Sequence, residues 1–135
     1  MNGKTLVDTN ILIDFFNGNS SFQKKLEKLR VFVPAIVLGE LYFGAEKSKN
    51  IRKNLRKIDD FFEFCTILEV NSITAKFYAQ IKKSLQKAGR PIPENDIWIA
   101  AIAFQHKLSL ATNDKHFAFV KNLKIENWVT SQKEA

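Results

Sequence analysis

Residues 5–16 read TLVDTNILIDFF, and the change of pattern inside them sets the fold. Thr5-Leu6-Val7 is a short apolar run that stops at Asp8, which predicts a buried strand; Ile11 to Phe16 behind it predicts the start of a helix. The same step recurs along the chain. Phe22, Leu26 and Leu29 stand at helical spacing before the β-branched run Val31 to Val33 and Pro34, a second strand, and Ala35 to Ala45 reads as the helix after it. Ile51, Leu55, Ile58 and Phe62 mark one face of a further helix, with Thr66 to Val70 as the next strand. Asn71 or Ser72 then caps a helix with Ile73, Phe77, Ile81 and Leu85 on one face, ended by Gly89. Pro91 and Pro93 punctuate a loop before Glu94 to His106, a helix whose stretch Ile97 to Phe104 is apolar on every face and therefore central. Leu108 to Thr112 and Lys124 to Val129 complete the strands. Strands alternating with helices require crossover connections, so the fold class is α/β: one layered domain with a mostly parallel, twisted sheet flanked by helices on both faces.

Composition agrees with a single compact domain. The 135 residues carry 45% hydrophobic and 12% aromatic side chains, enough apolar surface to offset ordering entropy, which excludes a disordered chain. A single cysteine, Cys65, excludes an intramolecular disulfide and any cysteine-rich metal centre, and is expected to be a packed small residue in a reducing compartment. The opening MNGKTLVDTN lacks the apolar core of a secretory signal, and the run Ile97 to Phe104 is far short of the ~20 residues a membrane span needs. A soluble, cytoplasmic protein with no membrane partner is the expectation. The balance of 21 Lys+Arg against 14 Asp+Glu gives +7, and such a charge favours polyanionic partners; composition alone does not separate RNA, DNA and an acidic protein.

In open parallel sheets ligands bind beyond the carboxyl ends of the strands, and four acids fall at or near such places. Asp8 follows the first strand, Glu40 lies early in the helix after the second, Asp96 opens the central helix, and Asp114 follows a late strand. Taken singly, Asp8, Asp96 and Asp114 also read as ordinary helix-start carboxylates. Glu40 does not: Ile36, Val37, Leu38, Leu41, Tyr42 and Phe43 cover most of its helix, so its carboxylate is expected beside the core, where an unpaired charge is costly. Together the four offer hard oxygen donors without cysteine or histidine, a set that selects Mg²⁺ or Mn²⁺ over zinc. Such a cation would let an acidic cleft accept a phosphodiester drawn in by the basic exterior, which points to metal-assisted hydrolysis.

VDTNILID, the isolated Glu40 in PAIVLGELYFG, the segment RPIPENDIWIAAIA and the terminal LATNDKHF with LKIENW resemble the PIN domain of VapC-type ribonuclease toxins. The resemblance runs in order over nearly the whole chain, so residues 1–135 read as one PIN-like domain. It implies an endoribonuclease whose acids, here Asp8, Glu40, Asp96 and Asp114, bind Mg²⁺ or Mn²⁺ and activate water to cut RNA, often structured RNA such as tRNA. It also implies a homodimer, a cognate antitoxin that covers the acidic cleft, and service as the toxin of the pair; some PIN domains instead process RNA. One departure stands out: where many members carry an acid two residues beyond the Asp114 position, this chain has His116, read either as a surface histidine or as a weak metal neighbour or phosphate contact.

Asp8 and Asp96 are expected to hold the metal directly, with Glu40 and Asp114 acting through waters or on a second ion. Thr9, Asn10 and Thr112 are suited to orienting those carboxylates, or to ordinary turn and cap hydrogen bonds. Arg90 is placed to reach a phosphate or to stay in solvent. Lys47, Lys49, Arg52, Lys53, Arg56 and Lys57 form a basic block on one helix, either solvated or an RNA footprint. Trp98 and Trp128 have base-stacking surfaces, with Trp98 expected in the core. Asn2-Gly3-Lys4-Thr5 precedes its strand and lacks the earlier glycine of a phosphate loop. The rival readings are a non-catalytic basic module with the acids as caps, and a receiver-like phosphoacceptor domain, which lacks its acid pair after the first strand.

Overall fold

The computed structural model describes residues 4–18 and 20–128. The strands β1 (Lys4–Val7), β2 (Arg30–Pro34), β3 (Thr66–Leu68), β4 (Ser109–Ala111) and β5 (Ile125–Glu126) form one sheet in the order β3-β2-β1-β4-β5, every pairing parallel. The connecting helices are α1 (Thr9–Phe16), α2 (Ser20–Lys28), α3 (Ala35–Glu46), α4 (Ile51–Phe62), α5 (Ser72–Lys87) and α6 (Glu94–His106), and a 3-10 turn, Lys115–Phe119, joins β4 to β5. β1 is central: Leu6 sits in register with Phe32 on one side and Leu110 on the other, and Leu6, Val7, Val33 and Leu110 are wholly buried. That is why these strands read as unbroken apolar runs.

α6 carries the core contact that the sequence singles out. Ile97, Ile99, Ala100, Ala101, Ile102 and Ala103 are all buried, and its small residues allow close approach to α5, α3 and β4. It ends at Lys107, which takes the left-handed conformation (φ 55°), so that the Leu108 N–H reaches back to the Ala103 carbonyl at 2.9 Å and the chain turns directly into β4.

Several expectations need correction. Ile73 does not face the core: it is 54% exposed, because Asn71 accepts from the Thr74 amide while the Thr74 hydroxyl accepts from the Asn71 amide, a reciprocal cap that turns Thr74 inward against Gln105 of α6. The buried face of α5 is therefore Thr74, Ile81 and Leu85, flanked by Phe77 and Tyr78. Ile51 is exposed at the start of α4. Glu69 and Val70 fall outside β3, Leu108 and Thr112 outside β4, and Lys124, Asn127 and Trp128 outside β5, while Val129 lies outside the described residues. The tryptophans exchange roles. Trp98 is half-buried and stacks on Tyr78 with centroids 4.0 Å apart, whereas Trp128 is 2% exposed against Phe22 and beneath the Lys25 ammonium. Cys65 is a half-buried thiol whose pKa burial pushes up to about 11, as suits a packed, unreactive side chain. No helix among the described residues is long and apolar enough to cross a membrane.

The packing and the corrected α5 face give one expectation. Leu110→Ala should lower unfolding stability by about 2–5 kcal/mol at unchanged denaturant slope, while Ile73→Ser should stay within about 0.5 kcal/mol of the parent. Urea unfolding of both variants checks it.

Candidate active site

Proceeding along the sheet order, the neighbours of β1 are β2, which follows it in sequence, and β4, which does not. Strand order reverses between β1 and β4, and the carboxyl edge at such a reversal is where a crevice opens. Asp8 stands at the end of β1 and Asp114 just after β4; the helices α3 and α6 bring Glu40 and Asp96 to the same edge.

The backbone fixes each of these groups. The Asp8 amide still belongs to the ladder, donating to the Ala111 carbonyl at 3.0 Å, while its side chain makes no capping bond to α1. Instead Asp8 Oδ2 accepts from the Thr112 hydroxyl at 2.8 Å. The same hydroxyl accepts from the Asp114 amide at 2.9 Å, so Thr112 ties the two acidic segments together. Asp114 in turn caps the 3-10 turn, accepting from the His116 amide at 2.9 Å. On the other flank the Thr9 hydroxyl donates to Glu40 Oε1 at 2.5 Å. Thr9 and Thr112 thus orient carboxylates; Asn10 does not, and among the described residues its Oδ1 is the buried side-chain oxygen left without a hydrogen-bond partner.

Electrostatics ranks the members of the cluster. Asp8 is only 5% exposed, and burial raises its pKa above the ordinary value against the opposing help of Thr112 and the Thr9 amide, with the charges of Asp114 and Glu40 adding to the rise. Asp96 is pushed up to about 6, first by burial, then by the charges of Asp114 and Asp8, with His116 pulling the other way. Asp8, Asp96 and Asp114 therefore feel one another directly. Glu40 joins through Asp8 and Thr9; it is half-buried rather than inside the core, beside a groove lined by Ile13, Phe16, Leu41 and Ile58.

His116 is the residue the sequence left ambiguous. Its ring is about half exposed, yet Nδ1 lies 3.0 Å from Asp114 Oδ1 and 3.5 Å from Asp96 Oδ2. The spacing Asp114-x-His116 is the local signal for this, since the short 3-10 segment that starts at Lys115 folds the side chain back over its own cap. Arg90 is exposed and packs its guanidinium over Phe119 at 4.9 Å. The residues of the basic block are all exposed, on α4 and the turn before it. A cluster of carboxylates on a chain of net charge +7 is chemically suited to a divalent cation and a phosphodiester.

Comparison with known proteins agrees with this geometry. The PIN domain profile matches residues 5–123. The chain is 39% identical over 132 residues to Ribonuclease VapC2 of Haemophilus influenzae, covering 93% of this chain and 98% of that one. It is 32% identical over 129 residues to the tRNA(fMet)-specific endonuclease VapC of Shigella flexneri, covering 93% and 98%. Among solved structures, VapBC2 from Rickettsia felis bound to a promoter DNA fragment superposes with a TM-score of 0.88 at 30% identity, over 93% of this chain and 99% of that chain.

The crowding of carboxylates predicts a pH-dependent cost. Between the ordinary value of 3.8 and about 6 the folded chain keeps a proton on Asp96 that the unfolded chain has lost, so stability falls as pH rises through that window. Asparagine cannot ionise. In EDTA, Asp96→Asn should therefore stabilise the fold at pH 8 by about 1–2 kcal/mol, after discounting for solvent screening, and by little near pH 4. Thermal melts at the two pH values test this; an equal shift at both, or a loss at pH 8, would count against it.

Proposed function

The chain belongs to the PIN domain family, in its VapC group, and from that premise we propose that it is a metal-dependent endoribonuclease serving as the toxin of a toxin–antitoxin pair. The observation that carries the reading is the convergence of Asp8, Asp96 and Asp114 at the strand-order reversal, with Glu40 tied in through Thr9. The tRNA specificity in the name of the Shigella flexneri relative makes structured RNA the first substrate to try, and the promoter-bound VapBC2 complex supports a cognate antitoxin. The chain is expected to act as a homodimer, in the cytoplasm.

The residues fit a divalent ion. The charge of Asp114 raises the proton affinity of both Asp8 and Asp96, Glu40 adds to the rise at Asp8, and Asn10, two residues after Asp8, has a buried Oδ1 without a protein partner. Asp8 and Asp96 would hold Mg²⁺ or Mn²⁺, with Asp114 and Glu40 completing the shell. When bound, the ion supplies polarisation of the scissile phosphate and a lower pKa for the attacking water. Thr112 holds the Asp8 carboxylate and the Asp114 backbone in fixed relation, so both acids present their oxygens without reorganising. Thr9 does the same for Glu40. The exposed cations of α4 and the preceding turn, Lys47 to Lys57, supply the attraction that brings a polyanion to an acidic crevice.

The test is incubation of partner-free protein with total RNA and tRNA in Mg²⁺ or Mn²⁺. Discrete cleavage should appear, vanish in EDTA, and fall by at least about 10²-fold in Asp96→Asn with the fold retained by circular dichroism. Thr112→Val, which keeps shape but removes both hydroxyl bonds, should lose about 10–100-fold. RNA binding without cleavage, unchanged in Asp96→Asn, would instead make the protein a basic binding module with its acids as helix-start residues.

A further inference from the structure

We propose that His116 is a direct ligand of the metal site and that its nitrogen shifts the site's preference from Mg²⁺ towards Mn²⁺, an inference that rests on the metal-nuclease reading above. The imidazole Nδ1, Asp114 Oδ1 and Asp96 Oδ2 lie within 4.8 Å of one another, with the nitrogen 3.0 Å from the first oxygen and 3.5 Å from the second. Adjacent ligand atoms around an octahedral ion with bonds of 2.0–2.1 Å stand about 2.9 Å apart. The Nδ1–Oδ1 separation of 3.0 Å is already such an edge, and Asp96 Oδ2, 3.5 Å from the same nitrogen, lies close enough to join the pair with a small side-chain movement.

This placement is built by the backbone. The His116 amide is pinned to Asp114 Oδ1 at 2.9 Å, and Phe117 beside it is wholly buried, so the turn cannot swing the ring away without giving up a core side chain. In the metal-free chain the attraction of the ring N–H for two carboxylates, contributed by α6 and by the 3-10 turn, holds this pose, and a cation taking the place of that proton would meet the same three atoms as ligands. Substituting an imidazole nitrogen for an oxygen donor disfavours Mg²⁺, which prefers oxygen ligands and holds its waters tightly, and suits Mn²⁺ and the later first-row ions better.

The chain has two histidines, and the other, His106, ends α6 ten residues after Asp96, about 15 Å along the helix from that acid. A nitrogen signal from a bound ion is therefore assignable. The experiment is electron spin-echo spectroscopy of Mn²⁺ bound to the tag-free full chain, with parallel titration calorimetry of Mn²⁺ and Mg²⁺, for the parent, His116→Ala and His116→Asp. The parent should show nitrogen modulation that both variants lose. Mn²⁺ affinity should fall about 10-fold or more in His116→Ala, and His116→Asp should recover binding with its preference moved towards Mg²⁺. Mn²⁺ that binds through Asp96 with no nitrogen modulation, or that binds more tightly to His116→Ala, would overturn the role of His116 and leave the metal nuclease standing; the tighter binding would mark the ring as a competitor of the ion. Failure of the parent to bind either ion would overturn both.

Discussion

The carboxylate of Asp8 is held almost out of water at the end of the central strand, where an unsupported charge costs several kcal/mol. The support comes from an accident of register that the sheet makes permanent. β1 and β4 pair with Val7 opposite Ala111, so the next residue of each strand, Asp8 and Thr112, must also meet, and the threonine hydroxyl donates to the acid. With the Thr112 N–H donating a hydrogen bond to the Glu126 carbonyl at 3.1 Å, the residue is fixed and its hydroxyl oxygen accepts from the Asp114 amide. One hydroxyl thus converts a pairing of strands into the spacing of two acids. A valine there would preserve the sheet and lose the spacing.

Asp96 shows which effect wins where several compete. It lies in the first turn of α6, where the helix dipole favours an anion by about 0.3–1 kcal/mol, and His116 faces it at 3.5 Å. Both lower its pKa, yet the value stands near 6, because burial and the neighbouring charges of Asp114 and Asp8 exceed them. A helix-start carboxylate serving only as a cap does not behave in this way: Asp8 makes no capping bond to α1 beyond the adjacent Thr9 amide, and its carboxylate turns instead to Thr112. Asp114 alone does double duty, as cap of the 3-10 turn and as neighbour of the other acids.

The fold was legible because parallel strands buried on both faces leave continuous apolar runs, and Pro93 and the polar turn after His106 bound the central helix to the residue. Legibility failed where one side chain decided between faces. Ile73 fits the helical period of α5 as well as Thr74 does, and only the reciprocal cap with Asn71, together with the Gln105 partner from α6, puts the threonine inside. Trp98 sits in a wholly apolar stretch, but a helix has more faces than the core can cover, and the stack on Tyr78 occupies the one left over. The four acids were readable as an ordered set near strand and helix ends; that Asp114 acts on both Asp8 and Asp96 while Glu40 acts on Asp8 and is held by Thr9 depends on tertiary distances that no linear pattern encodes. His116 was hidden for the same reason, since its meaning lies in the return of a short turn over its own cap.

The site and the core are coupled through α6. The helix that presents Asp96 to the other carboxylates buries Ile97, Ile99 and Ile102 immediately behind it, and each fully buried isoleucine contributes about 1.5–3 kcal/mol. Repulsion among the acids, worth less than the sum of those contributions, is therefore borne by the most heavily buried helix of the fold. Asn, which does not ionise, would relieve that repulsion. A chain selected for stability alone has no use for a carboxylate at this position, where burial and the neighbouring charges of Asp114 and Asp8 raise its proton affinity.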